Sequence, residues 1–222
     1  MNTFNKILSR VTLVLGVTFM SAFQLYADDW KEIMYADPTI FVENGKYYLT
    51  GTRNQEPQGF AILESTDLEH WTVPDGTSLQ LILRKGDQTY GEKGFWAPQY
   101  FKDKRTYYFT YTANEQTVIA SSKSVFGPFR QKEVKPIDAS AKNIDSFLFK
   151  DDDGKYYLYH VRFNKGNYLW VAEFDIKKGS IKPETLKQCM DCTEPWEKTP
   201  NYKSAPVMEG PTVMKWDGVY YL

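Results

Sequence analysis

At 222 residues and 42% hydrophobic content, the chain is long enough to bury a sizeable core in one large or two small domains, which excludes a disordered protein. With 27 Lys and Arg against 28 Asp and Glu, the formal charge is -1, too weak a field to recruit nucleic acid or an anionic membrane, so a neutral ligand fits better. Aromatic residues make up 16% of the chain, including 16 Tyr and 6 Trp; they favour strands and offer flat apolar faces of the kind on which sugars stack.

The first element is a leader. Lys6 and Arg10 precede an apolar run from Val11 to Phe23, and small residues follow as far as Ala27. This layout predicts a secretory signal peptide over residues 1–27, removed after Ala27, and an exported protein, secreted or periplasmic. The run is shorter than the roughly 20 residues of a membrane span, no other segment qualifies, and no Cys follows it for lipid attachment, so no membrane contact is expected after cleavage.

Beyond the leader, helical periodicity is absent and strand-like runs recur: "KYYLTGT", "TYYFTYT", "KYYLYHV" and "VYYL". Their tyrosine pairs begin at Tyr47, Tyr107, Tyr156 and Tyr220, in steps of 60, 49 and 64 residues, the period of propeller blades with about four short strands each. Each pair follows a turn: "ENGK", "KDKR", "DDDGK" and "WDGV". Ahead of each turn stands a further run: "ADPTIF", "WAPQYF", "IDSFLF" and "EGPTVM". Asp37 lies ten residues before its tyrosine pair, and Trp96, Asp145 and Glu209 each lie eleven before theirs. If these runs are the innermost strands, their starts converge at one mouth of a central channel, and three carboxylates share a pocket with a tryptophan.

Taken singly, each acid reads as a turn or loop residue, Asp37 before Pro most of all. The shared register argues otherwise, as does the apolar flank "TIF", "QYF", "FLF" and "TVM", which predicts acids at the head of buried strands. A carboxylate in a partly closed pocket is costly without a task or a partner. Other motifs carry less. "KDDDGKYY" lacks the spaced ligands and closing Glu of a calcium loop and reads as a polar hairpin tip. His70, in "STDLEHW", is expected to be structural, and His160 faces either channel or core. Cys189 and Cys192, in "CMDC", fit a local disulfide or free thiols better than a metal site, since no two further ligands stand nearby.

The ordered set "ADPTIFVENGKYYLTGT", "STDLEHW", "FWAPQYF", "IDSFLFKDDDGKYYLYHV" and "EGPTVMKWDGVYYL", from about Trp30 onward, resembles glycoside hydrolase family 43. The resemblance implies an all-β five-bladed β-propeller with a central active site, here incomplete at about three and a half blades, residues 28–222 being a partial catalytic domain that lacks its C-terminal part. It implies Asp37 as general base, Glu209 as general acid, Asp145 as the carboxylate that raises the acid's pKa and orients it, and Trp96 as a wall of the sugar pocket. Inversion of this kind sets base and acid on opposite faces of the sugar, roughly 6.5–9.5 Å apart. Gln99 stands where the family often has an acid and Ser146 where it often has Pro. The implied substrate is an oligosaccharide or plant polysaccharide, cut by exo-acting removal of terminal α-L-arabinofuranosyl or β-D-xylosyl units. No cofactor is certain, the resemblance admits calcium in the channel, and oligomeric state is left open. The other readings are an inert fragment or carbohydrate-binding propeller without hydrolysis, and a retaining fructan-type enzyme whose "NDPNG"-like motif "ADPTI" does not match.

Overall fold

The structure is a computed structural model that describes residues 33–74, 79–197 and 205–222. The expected signal peptide, residues 1–27, lies outside them. Strand β1 (Ala36–Glu43) turns at Asn44-Gly45, both at positive φ, and pairs antiparallel with β2 (Lys46–Thr52). Two short strands follow, β3 (Gly59–Ala61) and β4 (Leu63–Ser65); β4 completes the first sheet beside β2, while β3 pairs with β5 (Leu81–Arg84). The second sheet is β6 (Trp96–Asp103), β7 (Thr106–Ala113) and β8 (Gln116–Ser122). The third is β9 (Asn143–Lys150), β10 (Tyr156–Phe163) and β11 (Asn167–Asp175), with β12 (Ser180–Ile181) and β13 (Lys187–Met190) both added to β11. A last hairpin pairs β14 (Met214–Trp216) with β15 (Val219–Tyr221).

The first strand of each sheet is its inner edge. β1 packs against β6 and β6 against β9, so the sheets stand radially as propeller blades: three blades and one hairpin of a fourth among the described residues. Apolar side chains fill the wedges between blades. Phe60, Tyr100, Phe109, Tyr111 and Phe129 form an edge-to-face cluster between the first and second, and Leu148, Leu158, Phe174 and Ile181 pack with Phe101 and Ile119 between the second and third. Each aromatic contact of this kind adds about 0.5–1.5 kcal/mol beyond area burial.

The repeated tyrosine has a structural cause at the hairpin end of the blades. An acid in one hairpin accepts hydrogen bonds or an ion pair from a lysine in the next blade, and that lysine lies over the first tyrosine of its own pair. Glu43 pairs with Lys102 and, separately, accepts from the Tyr107 hydroxyl at 2.5 Å; Asp103 meets Lys150 at 2.7 Å; Asp151 meets Lys215 at 2.9 Å and the Tyr220 hydroxyl at 2.5 Å. The ammonium groups sit 4.9, 5.3 and 4.6 Å from the ring centres of Tyr107, Tyr156 and Tyr220. The acidic tip "KDDDGK" is thus a clamp between the third and fourth units.

Some expectations need correction. The "TIF" flank of β1 is buried on one face only: Phe41 packs on Tyr100 and Tyr107, but Ile40 and, just beyond the flank, Val42 are 49% and 57% exposed, because none of the described blades covers that face of the first sheet. Met214 in "TVM" is exposed for the same reason on the last hairpin. His160 belongs to the core, fully buried, where desolvation pushes its pKa down to about 4 and keeps it neutral. His70 closes the "STDLEH" turn through Asp67 at 2.8 Å. Cys189 and Cys192 are thiols with no disulfide between them, and Cys189 Sγ donates to the Leu169 carbonyl.

Candidate active site

Every inner strand carries the same local irregularity near its start. The ladder between β1 and β2 slips between Ala36 and Thr39, that between β6 and β7 between Trp96 and Gln99, and that between β9 and β10 opposite Tyr159 and Val161. At each slip one residue takes a positive φ: Asp37 at 48°, Ala97 at 45° and Asp145 at 51°; in the fourth unit Gly210 takes 67°. A bulge of this kind re-aims a side chain and ends pairing, and Asp is among the few non-glycine residues that tolerate left-handed φ. The equivalent positions are therefore Asp37, Ala97, Asp145 and Gly210. Trp96 and Glu209 stand one residue ahead of that position, not in line with the two aspartates.

These starts converge. Asp37, Pro38, Ala97, Asp145, Ser146 and Gly210 are among the residues that line one cleft of about 210 Å3 at the axis. A threonine from the preceding blade holds the bulges at Ala97 and Asp145. Thr52 Oγ1 accepts the Ala97 amide at 2.9 Å and donates to Asp37 Oδ2 at 2.5 Å, so one buried hydroxyl fixes a carboxylate and the neighbouring blade together. Thr112 Oγ1 accepts the Asp145 amide at 3.0 Å. The corresponding residue of β10 is Val161, which has no hydroxyl, and the Gly210 amide instead donates to the Asp145 carboxylate. Gln99 clamps the next blade: its Oε1 accepts the Leu148 amide at 2.7 Å and its Nε2 donates to the Leu148 carbonyl at 3.4 Å, a pair of hydrogen bonds that an ionised acid in its place could not make.

Glu209 is exposed and is positioned by a residue that sequence reasoning missed. Asn167 Nδ2 donates to Glu209 Oε1. The same asparagine receives the chain on both sides, its amide donating to the Pro206 carbonyl and its carbonyl accepting the Met208 amide, each at 2.9 Å. Segment 206–209 is thereby strapped to the start of β11, beside Gly166, where a Cβ would lie 2.9 Å from the Pro206 carbonyl oxygen. The Trp96 indole lies half-exposed against Gly94, outside the cleft lining but next to it in the chain. The threonines had a signal in the repeats, since Thr52 and Thr112 both stand five residues after the first tyrosine of a pair. Asn167 had none.

Asp145 is half-buried, and its pKa is pushed up to about 6, chiefly by desolvation and then by the charges of Glu209 and Asp37; the Gly210 amide works in the opposite direction. The charges of Glu209 and Asp37 both act on Asp145, whose own carboxyl lines the cleft with Asp37. Among the described residues no three His, Cys, Asp or Glu side chains come together as a metal site. No step below is routed through an ion.

A family model described as glycosyl hydrolases family 43 matches residues 31–222. The extracellular endo-α-(1→5)-L-arabinanase 1 of Bacillus subtilis is 28% identical over 96% of this chain and 67% of its own length. A xylosidase/arabinosidase of Butyrivibrio fibrisolvens is 29% identical over 85% of this chain, which spans 36% of that protein. The crystal structure of an endo-1,4-beta-xylanase from Bacteroides thetaiotaomicron is 40% identical and superposes with a TM-score of 0.74, covering 84% of this chain and 61% of that one.

Proposed function

Because the chain belongs to glycosyl hydrolases family 43, we propose that it is an exported inverting glycosidase that removes terminal α-L-arabinofuranosyl or β-D-xylosyl units from oligosaccharides or plant polysaccharides. The observation that carries this reading is the convergence of Asp37, Asp145 and Gly210 on one cleft, with Glu209 next to Gly210 in the chain and its charge acting on Asp145. Its volume of about 210 Å3 is below the roughly 300–1,000 Å3 of pockets for drug-sized ligands, which favours one sugar ring over a length of chain. Export is supported by the leader composition of residues 1–27 and by the extracellular relative.

Asp37, kept as an acceptor by the Thr52 hydroxyl, takes a proton from the attacking water. Glu209 protonates the departing glycosidic oxygen. Because the Asn167 amide occupies Oε1, the transferable proton belongs on Oε2, facing the leaving group. Asp145 holds the Gly210 amide and so fixes the backbone on which Glu209 rides. Truncating Asn167 to Ala is expected to lower kcat about tenfold with KM unchanged, the effect of one charge-assisted hydrogen bond of about 1.5 kcal/mol; an Asn167→Asp variant, placing two carboxylates face to face, should fall further. Steady-state kinetics of the two variants check this. The reading as a whole is tested by proton NMR of the first product from a pentoside: appearance of the inverted anomer supports it, and retention excludes it.

A further inference from the structure

We propose that the cleft between the outer parts of the second and third blades is a separate binding site, for a saccharide chain that carries uronate carboxylates. It shares no lining residue with the catalytic cleft, and its volume of about 600 Å3 against about 210 Å3 leaves room for more than one ring. One wall is β8 with residues 130–135 behind it; the other is the turn at 176–179 that joins β11 to β12. These walls present Arg130, Lys132, Lys135, Lys177 and Lys178, against a single acid among the described lining residues, Glu133. Only part of that charge is answered. Glu133 pairs with Lys135 at 2.6 Å, and Asp175, next to the lining in the chain, lies 3.8 Å from Lys178. Among the described residues no carboxylate bonds to the side chains of Arg130, Lys132 or Lys177. In a chain of formal charge -1, three such cations in one concavity concentrate a positive field that the molecule as a whole lacks.

Both walls are fixed by their own hydrogen bonds. Arg130 exchanges two backbone bonds with Ser121 of β8, at 2.9 and 3.1 Å. The buried Gln131 then pins the loop: its amide donates to the Gln88 carbonyl at 2.9 Å, its Oε1 accepts the Tyr90 amide and its Nε2 donates to the Lys135 carbonyl, the last two at 2.7 Å. Across the cleft, Asp175 Oδ1 accepts the amides of Lys177 and Lys178 at 3.0 and 3.1 Å. Gly179, at φ 64°, sits so close to β8 that a Cβ would lie 3.3 Å from the Ile119 side chain. The cations therefore stand on backbone that binding need not order, which removes part of the entropic cost of association.

The rest of the lining selects the class of anion. Tyr108, Ile119 and Ile176 contribute apolar surface of the kind on which the C–H face of a sugar ring packs. A phosphate is gripped by guanidinium forks or by clustered backbone N–H groups. Here one arginine stands among four lysines, and the amides of the turn are engaged by Asp175. Single charges on separate stems match carboxylates set at intervals along a chain. Glu133, within the same lining, opposes a denser anion.

Titration calorimetry on the whole protein tests this. The probes are trigalacturonate, its fully methyl-esterified form, a glucuronosyl xylotriose and inorganic phosphate. At least one of the two uronate oligosaccharides should bind, about tenfold tighter than the neutral ester, with an affinity that falls as salt is raised. The double variant Lys132→Gln/Lys177→Gln should lose about tenfold in that affinity. Lys46→Gln/Lys93→Gln, the same change in net charge outside the cleft, should not. All four lysines are partly or wholly exposed, so the substitutions leave the core intact. Turnover of a nitrophenyl pentoside should be unchanged in Lys132→Gln/Lys177→Gln, since neither residue lines the catalytic cleft. Absence of binding by both uronates, equal binding of the ester, or equal loss in the two double variants overturns the site. So does phosphate that binds as tightly as the oligosaccharides, the mark of an adventitious ion only. The readout is binding, so a failure of the hydrolysis reading, seen as absence of product, leaves it unaffected.

Discussion

Asp37→Asn is expected to lower kcat on both a nitrophenyl pentoside and a pentose disaccharide by roughly 10²–10⁴-fold, the usual contribution of a general base. Glu209→Gln should differ between the two substrates. Nitrophenolate departs without needing a proton, whereas a sugar alkoxide does not, so the loss should reach that range on the disaccharide and stay well below it on the aryl glycoside. Both substitutions keep the local structure. Asn at 37 retains an oxygen for the Thr52 hydroxyl, and Gln at 209 retains one for the Asn167 amide. A loss of rate therefore reports chemistry. Equal losses on the two substrates for Glu209→Gln would remove its assignment as proton donor, and wild-type rates for Asp37→Asn would remove the base.

Much of this site was legible in the repeats, and the misalignment of one residue shows where the legibility stops. Counting back from the tyrosine pairs set Asp145 and Glu209 at the same offset. The third hairpin is one residue longer than the first: four residues separate Val42 from its partner Tyr47, and five separate Lys150 from Tyr156. That extra tip residue compensates for the offset in the count but not in the bulge, so the true fourth equivalent is Gly210. The acid is thus one residue outside the ring of bulges. It reaches the site from the flank and depends on a partner, Asn167, from another strand. The inner strands, their mouth and the inter-blade threonines follow from a pattern carried by neighbours in sequence. The Asn167 contact spans 42 residues and obeys no repeat, so only the folded chain brings it together. The pKa of Asp145 belongs to the same class, since it follows from burial and from two distant charges.

Asp145→Asn should stabilise the fold at neutral pH while it damages turnover. A carboxyl raised from 3.8 to about 6 binds its proton more tightly in the folded state than in the unfolded one. The folded state then holds more protons between those values, and stability falls as pH rises through the window, with the full penalty present above about pH 6. Two units correspond to about 3 kcal/mol as a ceiling, and partial exposure reduces this to about 1–2 kcal/mol. The asparagine removes the charge that Glu209 and Asp37 oppose, yet its oxygen still accepts the Gly210 amide. The melting temperature of the variant should exceed that of the unaltered protein by a few degrees at pH 8, and the two should coincide near pH 4. Scanning calorimetry across pH 4–8 measures this. A difference that does not grow with pH would show that Asp145 is not a strained carboxyl. Turnover should fall together with the gain in stability, because the strain that the aspartate imposes on the fold is the field that acts on the acid beside it.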